Sequence, residues 1–222
     1  MCARNIIIWP VLLLVGLTGC GPAPEIEDNP ITEDPMPDES APIILFLGDS
    51  LTAGYQLVPA LAFPALIQRK IDEQGLHYRA LNAGVSGDTS TDGLNRLNWL
   101  FRQPVDVLVL ALGANDALRG QPIDHIRSNL SEIMRLTRVR FPEVRVVLAG
   151  MLMPTNYGVE YTQAFREMYE ELALEHHAVL IPFLLEGVAG RPELNLRDGI
   201  HPTAEGHAII AETVWSYLGP LL

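Results

Sequence analysis

From Ile43 to the end of the chain, short apolar runs alternate with longer amphipathic ones. The short runs are Ile43–Leu47, Tyr78–Asn82, Val105–Leu112, Val144–Ala149 and Ala178–Pro182. They are rich in Val, Ile and Leu, as in strands covered on both faces. The longer runs are Ala60–Gln74, Thr89–Phe101, Ile123–Arg140, Tyr161–His176 and Thr203–Leu218. In Ile123–Arg140, the residues Ile126, Leu130, Ile133, Met134, Leu136 and Thr137 recur at helical spacing. Strands alternating with helices predict βαβ units and a parallel sheet. The expected fold class is α/β: a three-layer α/β/α sandwich around a parallel sheet of about five strands. No internal repeat is visible.

This arrangement is flavodoxin-like, and it says where chemistry belongs. In open α/β sheets, sites form beyond the carboxyl ends of the strands. The polar, glycine-rich segments collect there. GDSLTAGY follows the first predicted strand, NAGVSGDTS the second, GANDALRG the third, and DGIHP leads into the last helix. Segments far apart in sequence should therefore converge on one rim.

The N-terminus has a different pattern. Arg4 precedes the apolar run Ile6–Val15, and small residues then lead to Cys20. This reads as a secretory signal. The run is shorter than the roughly 20 residues that span a bilayer, and Pro10 interrupts it. Leu17-Thr18-Gly19-Cys20 resembles a bacterial lipobox, which implies lipidation of Cys20 and residues 1–19 as the signal peptide. Gly21 at the next position, in place of Asp, suits an outer-membrane destination by the usual sorting pattern. Residues 20–42 form a tether. Pro22, Pro24, Pro30, Pro35 and Pro37 lie among seven acids, without one Lys or Arg. Such a segment cannot bury enough apolar surface to offset its ordering entropy, and proline and like charge keep it extended. The expected domain is 43–222, held at the bacterial envelope facing the periplasm.

Charge narrows the partners. The chain of 222 residues carries a net charge of −12, half of it from the tether, since residues 43–222 hold 20 acids and 14 bases. Neither figure gives the basic footprint that nucleic acid requires. Cys2 and Cys20 are the only cysteines, so the mature body has no internal disulfide and no cysteine metal site. No GxxxxGK[ST], GxGxxG or HExxH pattern occurs, which weighs against nucleotide and zinc chemistry. No cofactor, metal or required protein partner is expected.

Two segments suggest acyl transfer, which needs a nucleophile, a base, an orienting acid and oxyanion donors. Ser50 should sit just past a strand at the start of a helical turn, where N–H groups favour developing negative charge. Taken alone, it could equally cap that helix. Asp198 and His201 lie three residues apart in DGIHP, so one short loop brings a carboxylate to an imidazole. Pro202 suits the first turn of the helix that follows. Asp49 and Asp88 are expected to bond loop backbone. His176 and His177 should lie at a helix end, where cations favour the dipole, and His207 should pack or face solvent on the last helix.

Ser50 in GDSL, Gly87 in SGDTS, Asn115 in GAND and His201 in DGIHP occur in the order of the four blocks that name the SGNH, or GDSL, hydrolase superfamily. The chain resembles that superfamily from Ile43 to about Gly219. GDTS, NDALRG and MLMPTNYG resemble its acyl-CoA thioesterase/lysophospholipase and arylesterase branch. One departure is Ala114, where that branch often has glycine; altered local packing is expected, with activity kept. The resemblance implies the SGNH hydrolase fold and a catalytic triad of Ser50, His201 and Asp198. It also implies an oxyanion hole from the N–H groups of Ser50 and Gly87 and the amide of Asn115. A glycine at 87 would let a backbone donor approach the substrate closely. The implied substrate is a small ester, thioester or lipid, with the membrane reached through lipidated Cys20. Carbohydrate deacetylation, acyl transfer, or binding without turnover on the same scaffold remain open. The loops 117–122 and 151–158 should flank the acyl group, with Met153 and Tyr157 setting chain length and Leu184 and Leu185 next in line.

Overall fold

The computed structural model describes residues 40–222. The signal peptide, Cys20 and the tether up to residue 39 lie outside the described residues.

Five strands form one sheet: β1 (Ile43–Gly48), β2 (Arg79–Gly84), β3 (Val107–Ala111), β4 (Arg145–Ala149) and β5 (Val179–Ile181). All pairings are parallel, in the order β2-β1-β3-β4-β5. Every residue of β1 and β3 is buried, which explains their unbroken apolar sequence. The chain leaves β1 toward one edge of the sheet and β3 toward the other. A crevice therefore opens at their carboxyl ends, the switch point of this topology.

Among the described residues, eight α-helices connect and cover the strands: α1 (Ser50–Ala53), α2 (Phe63–Glu73), α3 (Ser90–Asn95), α4 (Leu97–Leu100), α5 (Ala114–Leu118), α6 (Ile123–Arg140), α7 (Val159–Glu175) and α8 (Ala204–Leu218). α2 packs on α8, and α6 on both α3 and α7. Phe46 of β1 meets Phe63 of α2 edge-on at 5.7 Å.

Three expected elements differ. The helix expected from Ala60 begins at Phe63, after a separate 3-10 turn at Pro59–Leu61. Pro64 disfavours helical backbone before it and is accommodated in the first turn. The run Thr89–Phe101 splits at Arg96 into α3 and α4. Gly93 and Asn95 are weak helix formers, and Arg96 is drawn aside to Asp88 and the Gly48 carbonyl. Pro202 lies outside the last helix, whose N-cap is Thr203. It pairs instead with Asn195 in an isolated antiparallel bridge.

Candidate active site

The first strand ends in a glycine because nothing larger fits: a Cβ on Gly48 would overlap the Thr52 hydroxyl. The chain then turns directly into α1. The Asp49 carboxylate accepts from Leu51 N–H at 2.9 Å, and Gly54, at φ 75°, closes the helix after one turn. Ser50 is thus fixed at the helix start, with its side chain directed into a cavity.

The candidate base, His201, arrives from the far end of the chain on a pinned loop. Leu196 N–H donates to the His201 carbonyl at 2.7 Å, and Thr203 N–H to that of Leu194 at 2.9 Å. Within the loop, Asp198 Oδ1 accepts from Ile200 N–H and His201 N–H, each at 3.0 Å. Its other oxygen, Oδ2, is 2.8 Å from His201 Nδ1. These bonds, Ile200 N–H foremost, hold the Asp198 carboxyl down at about 2. An ionised partner at Nδ1 places the ring proton there and leaves Nε2 as acceptor. Nε2 lies 3.0 Å from Ser50 Oγ. Positions 151 residues apart thus form one hydrogen-bonded chain, able to draw a proton off the serine.

Gly87 and Asn115 line the same cavity as Ser50 and His201. Gly87 has φ 87°, a conformation that side chains rarely adopt. Crowding within the protein is not the reason for glycine here, because a Cβ would meet only Arg119 Nη2, at 3.9 Å. Arg119 also donates to the Gly87 carbonyl at 2.9 Å, which ties this loop to the end of α5. Asn115 Nδ2 donates to the Asp88 carbonyl at 3.0 Å and to Asp49 Oδ2 at 3.2 Å.

Sequence reasoning missed the residues that join these loops. Asp116 is buried and accepts from Ser90 N–H at 2.7 Å and Ser90 Oγ–H at 2.6 Å, locking the Gly87 loop to α5. Asn129 donates to Ser90 Oγ from α6. The Tyr55 ring lies 4.3 Å from the His201 ring, centroid to centroid. No local pattern announces such contacts. Asp88, expected to bond backbone through its carboxylate, pairs with Arg96 at 2.8 Å instead. His176 caps its helix end as expected, where burial lowers its pKa and Nε2 lies 2.8 Å from Ser131 Oγ. Arg138 supplies the positive charge there by donating to the His176 carbonyl. His207 packs rather than facing solvent. Burial lowers its pKa to about 4, and Nδ1 accepts from Phe63 N–H at 3.2 Å.

The cavity measures about 580 Å³. Tyr55, Leu118, Met151, Met153, Leu185 and Ile200 give it apolar walls, while Leu184 belongs to the core. Ala114 also lines it, so the methyl in GAND reaches the site as well as the local packing.

Comparison with known proteins decides the family. The GDSL-like Lipase/Acylhydrolase family matches residues 46–209. The chain belongs to this family. It is an ester hydrolase and lies in the branch that the motifs indicated. It is 40% identical over 172 residues to an arylesterase of Vibrio mimicus, covering 77% of this chain and 85% of that protein. It is 37% identical over 184 residues to the thioesterase 1/protease 1/lysophospholipase L1 of Escherichia coli K12, covering 82% and 86%. The crystal structure of TesA superposes with a TM-score of 0.77 at 37% identity, covering 81% of this chain and 99% of that one.

Asp49 has an electrostatic consequence of its own. Burial pushes its carboxyl from 3.8 up to about 6, with Leu51 N–H and then His201 acting to lower it. The folded state then holds a proton that the unfolded chain releases earlier, so ionisation opposes folding. That cost is absent below about pH 4 and complete above about pH 6. Two pK units correspond to roughly 3 kcal/mol. In urea unfolding, Asp49→Asn should therefore gain up to about 3 kcal/mol relative to the unsubstituted protein between about pH 3 and pH 8. The lost hydrogen bond adds only a constant offset. A difference that does not change with pH would show Asp49 to be an ordinary carboxylate.

Proposed function

We propose that the chain cleaves carboxylic esters, thioesters and lysophospholipids through an acyl-enzyme on Ser50. The observation that carries this is the hydrogen-bonded series Asp198–His201–Ser50, at 2.8 and 3.0 Å, beside an apolar cavity. Ser50 Oγ attacks the acyl carbonyl while His201 Nε2 takes its proton. The N–H groups of Ser50 and Gly87 and the Asn115 amide receive the oxyanion. The intermediate collapses as His201 returns the proton to the leaving alcohol or thiol, and water repeats the sequence to free the acid.

A fluorophosphonate should label Ser50, and a panel of p-nitrophenyl esters, acyl-CoAs and lysophospholipids should show turnover of all three classes. Turnover of acetylated carbohydrates alone would replace this reading with deacetylation. Within the ester series, each buried methylene contributes at most about 0.8 kcal/mol, or about fourfold in kcat/KM. The preference should rise gently with chain length and then stop where the cavity ends. Met153→Ala, which enlarges the wall, should move that limit to longer chains while sparing phenyl acetate. Tyr157 is not in the wall but donates to the Leu118 carbonyl at 3.4 Å, so Tyr157→Ala should act more weakly. Unchanged profiles in both variants would move specificity to Leu185 or Ala114.

The location proposed is the bacterial envelope, with the hydrolase domain tethered to the outer membrane through lipidated Cys20. Among the described residues, no helix is long and apolar enough to cross a membrane. The lipobox-like Leu17–Cys20 supports the anchor, and two or more acyl chains would make it stable. Cys20→Ser should abolish metabolic fatty-acid labelling and release the protein from the membrane fraction. An unmodified Cys20 in mature protein would rule the anchor out.

A further inference from the structure

Asp49 is 2% exposed and stands beside the nucleophile, yet the proton transfer from Ser50 does not pass through it. As an N-cap it needs one oxygen, and Asn or Ser would cap equally well. Burying a whole carboxyl costs more than burying either. The second oxygen must therefore contribute something that a cap does not. Oδ2 accepts from Asn115 Nδ2 at 3.2 Å, across 66 positions of sequence.

The amide that it holds has a symmetry problem. The two ends of a carboxamide are nearly equal in size and opposite in sign. Turned over, Asn115 would present its oxygen to a developing oxyanion and repel it. With Asp49 Oδ2 and the Asp88 carbonyl both accepting from the same nitrogen, only the NH2 end fits between them. The bond to Asp49 is the longer of the two, at 3.2 Å against 3.0 Å, and it is the one that must open to free an N–H. The bond to Asp88 can then keep the amide in place.

We propose that Asp49 is a positioning residue for the oxyanion donor: its Oδ2 aims the Asn115 N–H at the reacting carbonyl and gives it up as the oxyanion forms. This rests on the reading of Asn115 as an oxyanion donor. The donor exchanges one anionic partner for another, so its N–H is already polarised and close to its working position when charge develops. The raised carboxyl pKa agrees with this, because a charge so buried depends on the few N–H groups that serve it.

A double-mutant cycle in the full chain tests the proposal, with Asp49→Ser and Asp49→Asn each combined with Asn115→Ala. Both Asp49 variants keep a helix cap, and neither offers a carboxylate to Asn115. Near-ultraviolet circular dichroism identifies the folded variants, and one folded Asp49 variant suffices. Each should lose about tenfold or more in kcat with KM unchanged. Asn115→Ala alone should lose about 10²–10³. With Asn115 already alanine, the Asp49 changes should cost less than about twofold. Wild-type kcat in Asp49→Ser would make Asp49 a cap and nothing more. Losses that multiply in the double variant would mean that it acts on a group other than Asn115. Either result overturns the proposal while leaving the oxyanion reading intact. An unchanged kcat in Asn115→Ala would instead remove the oxyanion reading, and the proposal with it.

Discussion

Ser50→Ala should lower kcat by about 10⁶ and leave the protein folded. The loss follows from removing the nucleophile of the proposed route, whose oxygen lies 3.0 Å from His201 Nε2. The fold should survive because the hydroxyl contributes little else. Ser50 bonds α1 through its backbone: its carbonyl accepts from Gly54 and Tyr55 N–H, and the Asp49 cap binds Leu51. Alanine is also the better helix former. The thermal midpoint should therefore correspond to a change within about 1 kcal/mol. Adding His201→Ala to Ser50→Ala should cost almost nothing further, because the pair acts as a unit. If Ser50→Ala kept a tenth of the activity, the covalent route would be wrong, and a water activated by His201 would be the simplest replacement. If it lost activity together with its fold, the measurement would have to move to fluorophosphonate labelling of the unsubstituted protein, which reports Ser50 directly.

The sheet was legible in the sequence because burial on both faces writes itself as continuous apolar runs. β1 and β4 match their runs to within a residue, and α6 has the bounds that its periodicity predicts. These are properties of neighbours in sequence. The splits and displacements came from contacts between distant residues. The helix expected over Thr89–Phe101 divides at Arg96, whose side chain donates to the Gly48 carbonyl, 48 positions away. Pro202 stays outside the last helix where the bonds on either side of it, Leu196 N–H to the His201 carbonyl and Thr203 N–H to the Leu194 carbonyl, hold it in an antiparallel bridge with Asn195.

The candidate site shows the same division. Ser50, Asp198 and His201 could be found because two short motifs carry them, and the fold expectation placed both motifs on one rim. Asn115 and Gly87 came from the resemblance, and the structure adds a different reason for glycine at 87: its positive φ. Asp116, Tyr55 and the second contact of Asp49 left no trace, since each depends on a single pairing across the crevice. An aspartate inside GDSL reads as loop polarity until its second oxygen is seen to face Asn115. The energetic reason is general: a buried polar group is recognised by its partner, and a sequence read alone does not contain the partnership.

Asp198→Asn should cost about 10⁴ in kcat, far more than the change of one atom suggests. Asp198 Oδ1 accepts from the N–H groups of Ile200 and His201. An asparagine there must give its single oxygen to those two donors. Its NH2 group then faces His201 Nδ1, where Oδ2 now lies at 2.8 Å. A donor at that place forces Nδ1 to accept, so the ring proton moves to Nε2. Nε2–H would point at Ser50 Oγ and could not receive its proton. The loop would keep its shape while the base carried the wrong tautomer. Asp198→Ala imposes no tautomer, so it should be no worse than Asp198→Asn despite removing more atoms. The ratio of native to variant kcat should also stay flat through mildly acidic pH. The native carboxyl, held at about 2, remains ionised there, and its contribution is lost only as pH falls toward that value. Nitrogen NMR of the histidine ring would read the tautomer directly. Finding the proton on Nδ1 in an inactive Asp198→Asn would break this explanation, and would leave lost charge stabilisation of the imidazolium as the function of Asp198.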